Sequence, residues 1–468
     1  MGEIKMPKTV ILVSIAHLRE QDLSRLPNLL KACQKGQTVT LKPTFPCVTC
    51  PVQANMTTGK LPNKHGIVGN GLYYRDKHFL EMWTGDNSVI ETHQIWDVLE
   101  HSRQEIESAV WMPLHSKFCE ADYVCTPAPI HNPDGSETLW CWSRPESLYG
   151  MLRDKYGDFP LMNWWGPMSN IVSDTWSVDS AIYLAQTQRP SFFYIYLPHT
   201  DYESQKFGPD SPQMMASLDK YNALIGKLVD EMTAVYGEEN LVWLFAGEYS
   251  IVPVDHVTYP NRILRDAGLL KTISESSVPN PHVHHVPGMP QKELTGKEEL
   301  IDFANTPAFA AADHQFSHVY LQDRSPENVT KVAQLFEGKE GIADVVYGDR
   351  LTDFGLNHDR TGDLVLISAP NSWQAYYYWL DEANAPSFAH TVDIHRKPGY
   401  DPCELFFDPT IRGIPTNASL IKGSHGAPAV EENQKTVLAT SENFTSETEL
   451  ADVDVFEIVM KAYGFDSY

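Results

Sequence analysis

The chain has 468 residues, 42% apolar and 21% charged, the make-up of a globular α/β or mixed protein rather than of a disordered or fibrous one. Its 61 acidic and 36 basic side chains leave a formal net charge of −25. That field repels phosphate backbones and excludes bulk nucleic-acid binding, while a small phosphate ester stays admissible where amides or a metal neutralise it locally. No stretch reaches the roughly 18 consecutive apolar residues of a membrane-crossing helix, so no membrane partner is expected. Seven cysteines, odd in number and scattered, point to a reducing compartment, and a cytoplasmic location is the expectation.

Short apolar, β-rich runs alternate with amphipathic segments, the pattern of a parallel sheet flanked by helices. Thr9–Ile15 reads as a buried strand, and its apolar run is too short for a secretory core. Asp22–Cys33 carries Leu23, Leu26, Leu29 and Leu30 at helical spacing, and Val39–Leu41 is the next strand. Phe192–Leu197 and Leu241–Phe245 read as central strands with a long helix, Met214–Tyr236, between them. Both end in polar stretches, His199-Thr200-Asp201 and Gly247-Glu248-Tyr249, and in open α/β sheets chemistry sits at such carboxyl ends. Asp255–Ala310 is rich in Pro and His, with His282, His284 and His285 expected in an exposed loop. His318–Leu321, Pro326–Leu335 and Ala343–Tyr347 read strand, helix, strand. The predicted fold is therefore α/β: a large, mostly parallel sheet flanked by helices over residues 1–308 and 351–468, with a small α+β module inserted at 309–350. Asp363–Ser368 is expected to return to the main sheet, and the last hundred residues to be loop-rich.

The segment Phe45–Gly59 follows a strand and opens a helix-like stretch, which puts Thr49 at or near a helix N-terminus. Unpaired N–H groups and the helix dipole favour an anion there and assist a threonine alkoxide. A threonine hydroxyl still needs a base or a metal to become a nucleophile; without one, Thr49 is an ordinary helix cap. Cys47-Val48-Thr49-Cys50 also has the spacing and placement of a thiol redox pair, a rival reading. Trp373 and Tyr376–Trp379 read as packing residues rather than a substrate platform.

Thr49 precedes Thr58-Gly59 by nine residues, followed by Pro62-Asn63-Lys64-His65-Gly66-Ile67 and Asn70. This gapless stretch resembles the nucleophile region of the nucleotide pyrophosphatase/phosphodiesterase family of the alkaline phosphatase superfamily. Further along, Tyr196–Asp201 with Phe207-Gly208-Pro209, Leu244–Tyr249 and Gly423–Gly426 are similar to later family landmarks. The resemblance implies a hydrolase of phosphate mono- or diesters working through a phospho-threonine or nucleotidyl-threonine intermediate. Thr49 would be the nucleophile and Asn70 a donor to the phosphoryl oxygen. One or two divalent cations, zinc in the family, would be held by Asp201, His425 and Glu248.

Four positions depart from the family's two-cation ligand set: Ala16 and Gln205 replace an Asp and a His, and Glu248-Tyr249 stands for Asp-His. Replacement ligands are expected from Asp393 and His395, whose i, i+2 spacing puts both on one face of extended chain. Asp313-His314 and His256 are further acid/imidazole candidates. His199 is expected beside Asp201 at the substrate, and Arg396-Lys397 as a clamp on its negative charge. A phosphotransferase or mutase, a non-catalytic binder of a phosphorylated ligand, and the thiol redox protein are the alternatives.

Overall fold

The computed structural model describes residues 8–102, 105–131, 137–278 and 294–465; the His282, His284 and His285 loop lies outside them. In chain order the elements that build the site's frame are β1 (Thr9–Ile15), β2 (Gln37–Lys42), α1 (Thr49–Thr58), β3 (Ser108–Trp111), β4 (Tyr123–Pro127) and β5 (Cys141–Arg144). They continue with α2 (Val172–Thr187), β6 (Phe192–Leu197), α3 (His199–Phe207), α4 (Pro212–Tyr236) and β7 (Leu241–Gly247). The remainder are β8 (Ala308–Asp313), β9 (Phe316–Leu321), α5 (Pro326–Ala333), β10 (Ile342–Tyr347), β11 (Leu364–Ser368), β12 (Thr436–Thr440), β13 (Glu449–Ala451) and α6 (Asp454–Ala462).

Nine strands form the main sheet in the order β13-β2-β12-β7-β1-β6-β3-β4-β5. The run β7-β1-β6-β3-β4 is parallel, and β12 and β5 pair antiparallel with their neighbours. The strands β1, β6 and β7 are buried along their whole length, which requires the unbroken apolar runs TVILVSI, FFYIYL and LVWLFAG rather than alternation. One face packs against α2 and α4, the other against α1 and α6. Register is what makes the site: Ile15 lies opposite both Leu197 and Gly247, so β1, β6 and β7 end level. The residues that follow them converge on one edge.

The second sheet has the order β8-β9-β11-β10, all antiparallel. Leu364–Ser368 thus joins this sheet and not the main one. An apolar run alone does not tell which of two sheets will cover it, so sequence placed it wrongly. Asp22–Cys33 is also not one helix: a 3-10 turn (Glu20–Arg25) precedes a short helix (Pro27–Ala32), because Pro27 has no N–H to continue the ladder and disfavours helical geometry at Leu26. The C-terminal stretch supplies β12, an interior strand of the main sheet, and the amphipathic α6. Trp373 and Tyr376–Trp379 are buried in the hydrophobic core that packs on the second sheet, as their reading as packing residues required.

Candidate active site

Thr49 is the first residue of α1, whose ten residues are all buried and whose end is capped by Gly59 in the left-handed conformation (φ 65°). Its hydroxyl points at the carboxyl edge of the main sheet and donates to the phenol oxygen of Tyr249 at 3.4 Å. Tyr249 in turn donates to Asp201 Oδ1 at 3.2 Å. The other Asp201 oxygen accepts from the Gln205 amide at 2.6 Å, and Tyr400 donates to the Gln205 carbonyl at 2.6 Å. Asp201 sits in the first turn of α3 directly after β6, and Tyr249 directly after β7, so the level strand ends bring both beside Thr49.

His425 joins from the C-terminal stretch. Its Nδ1 donates to the Cys47 carbonyl at 2.8 Å, its Nε2 lies 3.9 Å from Asp201 Oδ1, and its ring lies on that of Tyr249. Burial holds His425 well below the ordinary histidine range, aided by neighbouring His314, so His425 and Asp201 are a neutral contact and not an ion pair. Burial pushes the Asp201 carboxyl up to about 7, against the hydrogen bonds from Gln205 and Tyr249.

Asn70 completes the surroundings of Thr49. Its Oδ1 accepts the Cys50 N–H at 3.0 Å, and its Nδ2 donates to Asp313 Oδ1 at 3.0 Å. Asp313 also accepts from the Asn70 backbone at 2.8 Å and from His314 Nδ1 at 2.7 Å. Asp313 and His314 lie at the tip of the β8–β9 hairpin of the second sheet. The second sheet therefore reaches the edge where the main sheet's strands end.

Thr49, Asn70, Asp201 and His425 are thus brought together. Glu248 is adjacent but faces under α1, accepting from Ser14 at 2.5 Å and Gln53 at 2.8 Å, and burial pushes its carboxyl up to about 8. The remaining expected residues are elsewhere or already committed. The chain turns helical at His199, so His199 and Asp201 diverge as i, i+2 residues do on a helix; His199 Nε2 pairs with Ser217 at 2.7 Å instead. Both Asp393 oxygens are taken, by Arg396 Nε at 2.5 Å and by the backbone N–H groups of His395 and Arg396. That ion pair also removes Arg396 from the expected clamp. Lys397 is fully buried between Asp401 and Glu404, 2.7 Å from each, and cannot reach a substrate phosphate.

The donor set does not make the family's cation centre. The Tyr249 phenol stands between Thr49 and Asp201, and the Gln205 amide occupies the other Asp201 oxygen. Among the described residues no group of three or more His, Cys, Asp or Glu side chains could hold a metal ion. The expectation that Asp393 and His395 rebuild such a centre beside Asp201 and His425 is therefore not met. Cys47 and Cys50 are buried free thiols whose pKa burial pushes up, which makes them inert rather than redox-active. Sequence reading treated Tyr249 and Gln205 only as losses and passed over Tyr400, whose sole signal was a polar Pro-Gly-Tyr-Asp loop.

Comparison with known proteins agrees with this frame. An uncharacterised pyrophosphatase/phosphodiesterase of Schizosaccharomyces pombe is 25% identical over 269 residues, covering 55% of this chain and 46% of that protein. Mouse ectonucleotide pyrophosphatase/phosphodiesterase family member 1 is 22% identical over 289 residues, covering 58% of this chain and 27% of that protein. The chain thus spans less than half the length of these curated relatives. Phosphonoacetate hydrolase of Sinorhizobium meliloti 1021, solved with phosphonoformate, superposes with a TM-score of 0.61 at 16% identity, over 98% of this chain and 96% of that one. Murine ectonucleotide pyrophosphatase/phosphodiesterase 5, an inactive variant bound to AMP, superposes with a TM-score of 0.61 at 12% identity over the same shares. The model of the type I phosphodiesterase/nucleotide pyrophosphatase family matches residues 10–401, most of the chain, and the chain belongs to that family.

Proposed function

We propose that the chain hydrolyses a phosphoric ester by attack of Thr49 on phosphorus, giving a phospho-threonine or nucleotidyl-threonine intermediate that water then releases. The observation that carries this reading is the directed chain Thr49–Tyr249–Asp201, in which each hydroxyl donates to the next oxygen. As Thr49 Oγ1 bonds to phosphorus, its proton passes to Tyr249 and the Tyr249 proton to Asp201, while the leaving oxygen takes the electron pair of the broken P–O bond. A carboxyl near neutrality is well matched to that task. Asn70 Nδ2 has one proton beyond its bond to Asp313 and meets the phosphoryl oxygen in the field of the α1 N-terminus. The family is metal-dependent, but the donors here do not fit its centre.

The same site favours a diester over a monoester. Asp201 and Asp313 face it, and no Lys or Arg among the described residues hydrogen-bonds to the network of Thr49, Tyr249, Asp201, Asn70 and Asp313. A second negative charge on phosphate, about 6 Å from one carboxylate at an effective dielectric of about 20, costs about 2–3 kcal/mol, roughly 100-fold. A non-catalytic binder of a phosphorylated ligand is the second reading, favoured by the loss of three family ligands at Ala16, Gln205 and Tyr249. The buried free thiols support a reducing compartment, the cytoplasm. Hydrolysis of bis-p-nitrophenyl phosphate, compared with p-nitrophenyl phosphate and with Thr49→Ala, tests the assignment. Turnover of the diester that Thr49→Ala abolishes supports it; no turnover by the wild type leaves the binder, and equal turnover by wild type and Thr49→Ala removes Thr49 from the chemistry.

A further inference from the structure

A covalent intermediate needs a base for its second step, because water attacks phosphorus poorly while it keeps its proton. His314 is placed for that work by geometry that the first step does not use. It occupies the two-residue turn between β8 and β9, where Asp313 pairs with Phe316, and it adopts φ 59°, a left-handed backbone rarely held by residues other than Gly, Asn and Asp. Its Nδ1 is fixed on Asp313 Oδ1 at 2.7 Å, so the ring has one orientation and its other nitrogen, Nε2, carries the lone pair. Its ring lies on Tyr400 (centroids 3.6 Å apart, planes 16° apart) and beside His425 at 4.0 Å. Its Cβ and Val48, which immediately precedes Thr49, both lie against Gly426: a methyl group added there would come within 3.3 Å and 3.1 Å of them. His314 is thus held one layer from the nucleophile's end of α1.

We infer that His314, oriented by Asp313, is the general base that activates the water which hydrolyses the Thr49 intermediate. Nε2 takes one proton of the water as its oxygen bonds to phosphorus. The P–Oγ1 bond breaks with its electron pair going to Thr49, which recovers its proton from Tyr249, and Tyr249 recovers its own from Asp201. The Asp313 carboxylate stabilises the imidazolium formed. His425 also has a lone pair at Nε2, but its Nδ1 rests on a neutral carbonyl. A carbonyl stabilises an imidazolium less than a carboxylate does. Asp313 is a positioning residue: it holds both His314 and Asn70 and touches no reacting atom.

This inference rests on the proposed Thr49 chemistry, and one experiment separates the two. His314→Asn keeps a side chain that tolerates the left-handed backbone. With bis-p-nitrophenyl phosphate, it is expected to release about one equivalent of p-nitrophenol in a burst. Steady turnover then falls at least 100-fold, in the range of general-base losses, while the Thr49 peptide accumulates the aryl-phosphoryl mass. Asp313→Asn should slow both phases, the turnover more than the burst, because Asp313 holds Asn70 as well as His314. Wild-type turnover in His314→Asn, equal loss of burst and turnover, or trapping by His425→Asn in place of His314→Asn would each overturn the assignment. A burst that persists in Thr49→Ala would instead remove the reading beneath it.

Discussion

The Tyr249 ring lies flat on His425, with centroids 3.6 Å apart and planes 2° apart. This stack puts a phenol between Thr49 and Asp201, where the family pattern has an imidazole ligand. A phenol is neutral, donates one proton and accepts another, so it connects Thr49 to a carboxyl as a cation does not. Tyr249→Phe keeps the stack, worth about 0.5–1.5 kcal/mol, and deletes only the relay. The expected result is an unchanged melting temperature with kcat on a phosphodiester lowered about 10²–10⁴-fold, the usual range for lost acid–base assistance. Steady-state kinetics beside thermal denaturation checks it, and a kcat within a factor of three of wild type would take Tyr249 out of the proton path.

The ligand set leads to a second expectation. With Asp201 occupied by Gln205 and Tyr249, a divalent ion has too few protein donors to bind tightly. Purified protein should carry far less than one equivalent of zinc by elemental analysis, and chelator treatment should leave the diesterase rate unchanged. Loss of activity on chelation, recovered with added zinc, would show that other donors assemble.

How far the sequence revealed the site depended on distance along the chain. Thr49, Thr58-Gly59 and Asn70 share one local stretch, and their spacing was legible because one helix and its following turn fix it. The strands β1, β6 and β7 were legible from unbroken apolar runs, and their level ends explain why Asp201 falls beside Thr49. What failed were inferences that needed tertiary partners. Spacing could not tell that His199 begins a helix, that Arg396 is tied to Asp393, or that Lys397 is enclosed. Asp313-His314 was visible as an acid/imidazole pair, but its approach to Asn70 depends on how the second sheet meets the first.

Lys397 provides a test of that last kind. A substrate clamp would be exposed and its loss would raise KM. The observed lysine is buried, its pKa pushed up by Asp401 and Glu404 although burial alone would lower it. Removing its charge leaves two buried carboxylates unpaired, which costs about 3–5 kcal/mol. Lys397→Met, close in volume, should therefore lower the melting temperature markedly in circular dichroism while KM of the surviving folded enzyme stays within about twofold. A raised KM with full stability would restore the clamp.

Asp174 gives a pH-dependent expectation away from the chemistry. It is fully buried in α2, accepts the His199 N–H through Oδ2 at 3.1 Å, and has no hydrogen-bond partner at Oδ1. Burial pushes its pKa up to about 8, against the hydrogen bond from the His199 N–H. In the unfolded chain the same carboxyl titrates near 3.9. The folded state therefore holds a proton that the unfolded state has released at every pH between these values. Its stabilising contribution is complete below about pH 4, is lost progressively as pH rises through the interval, and is gone above about pH 8. Asparagine has the shape of the protonated acid, still accepts from His199, and does not titrate. Asp174→Asn should match or fall slightly below wild type at pH 5 and gain on it steadily toward pH 8.5, by about 1 kcal/mol or more after allowance for relaxation around the buried group. Chemical denaturation of both proteins across that range measures the difference. Parallel stability curves at all pH values would mean that Asp174 ionises in the folded state as readily as in the unfolded one, and that its burial carries no electrostatic penalty.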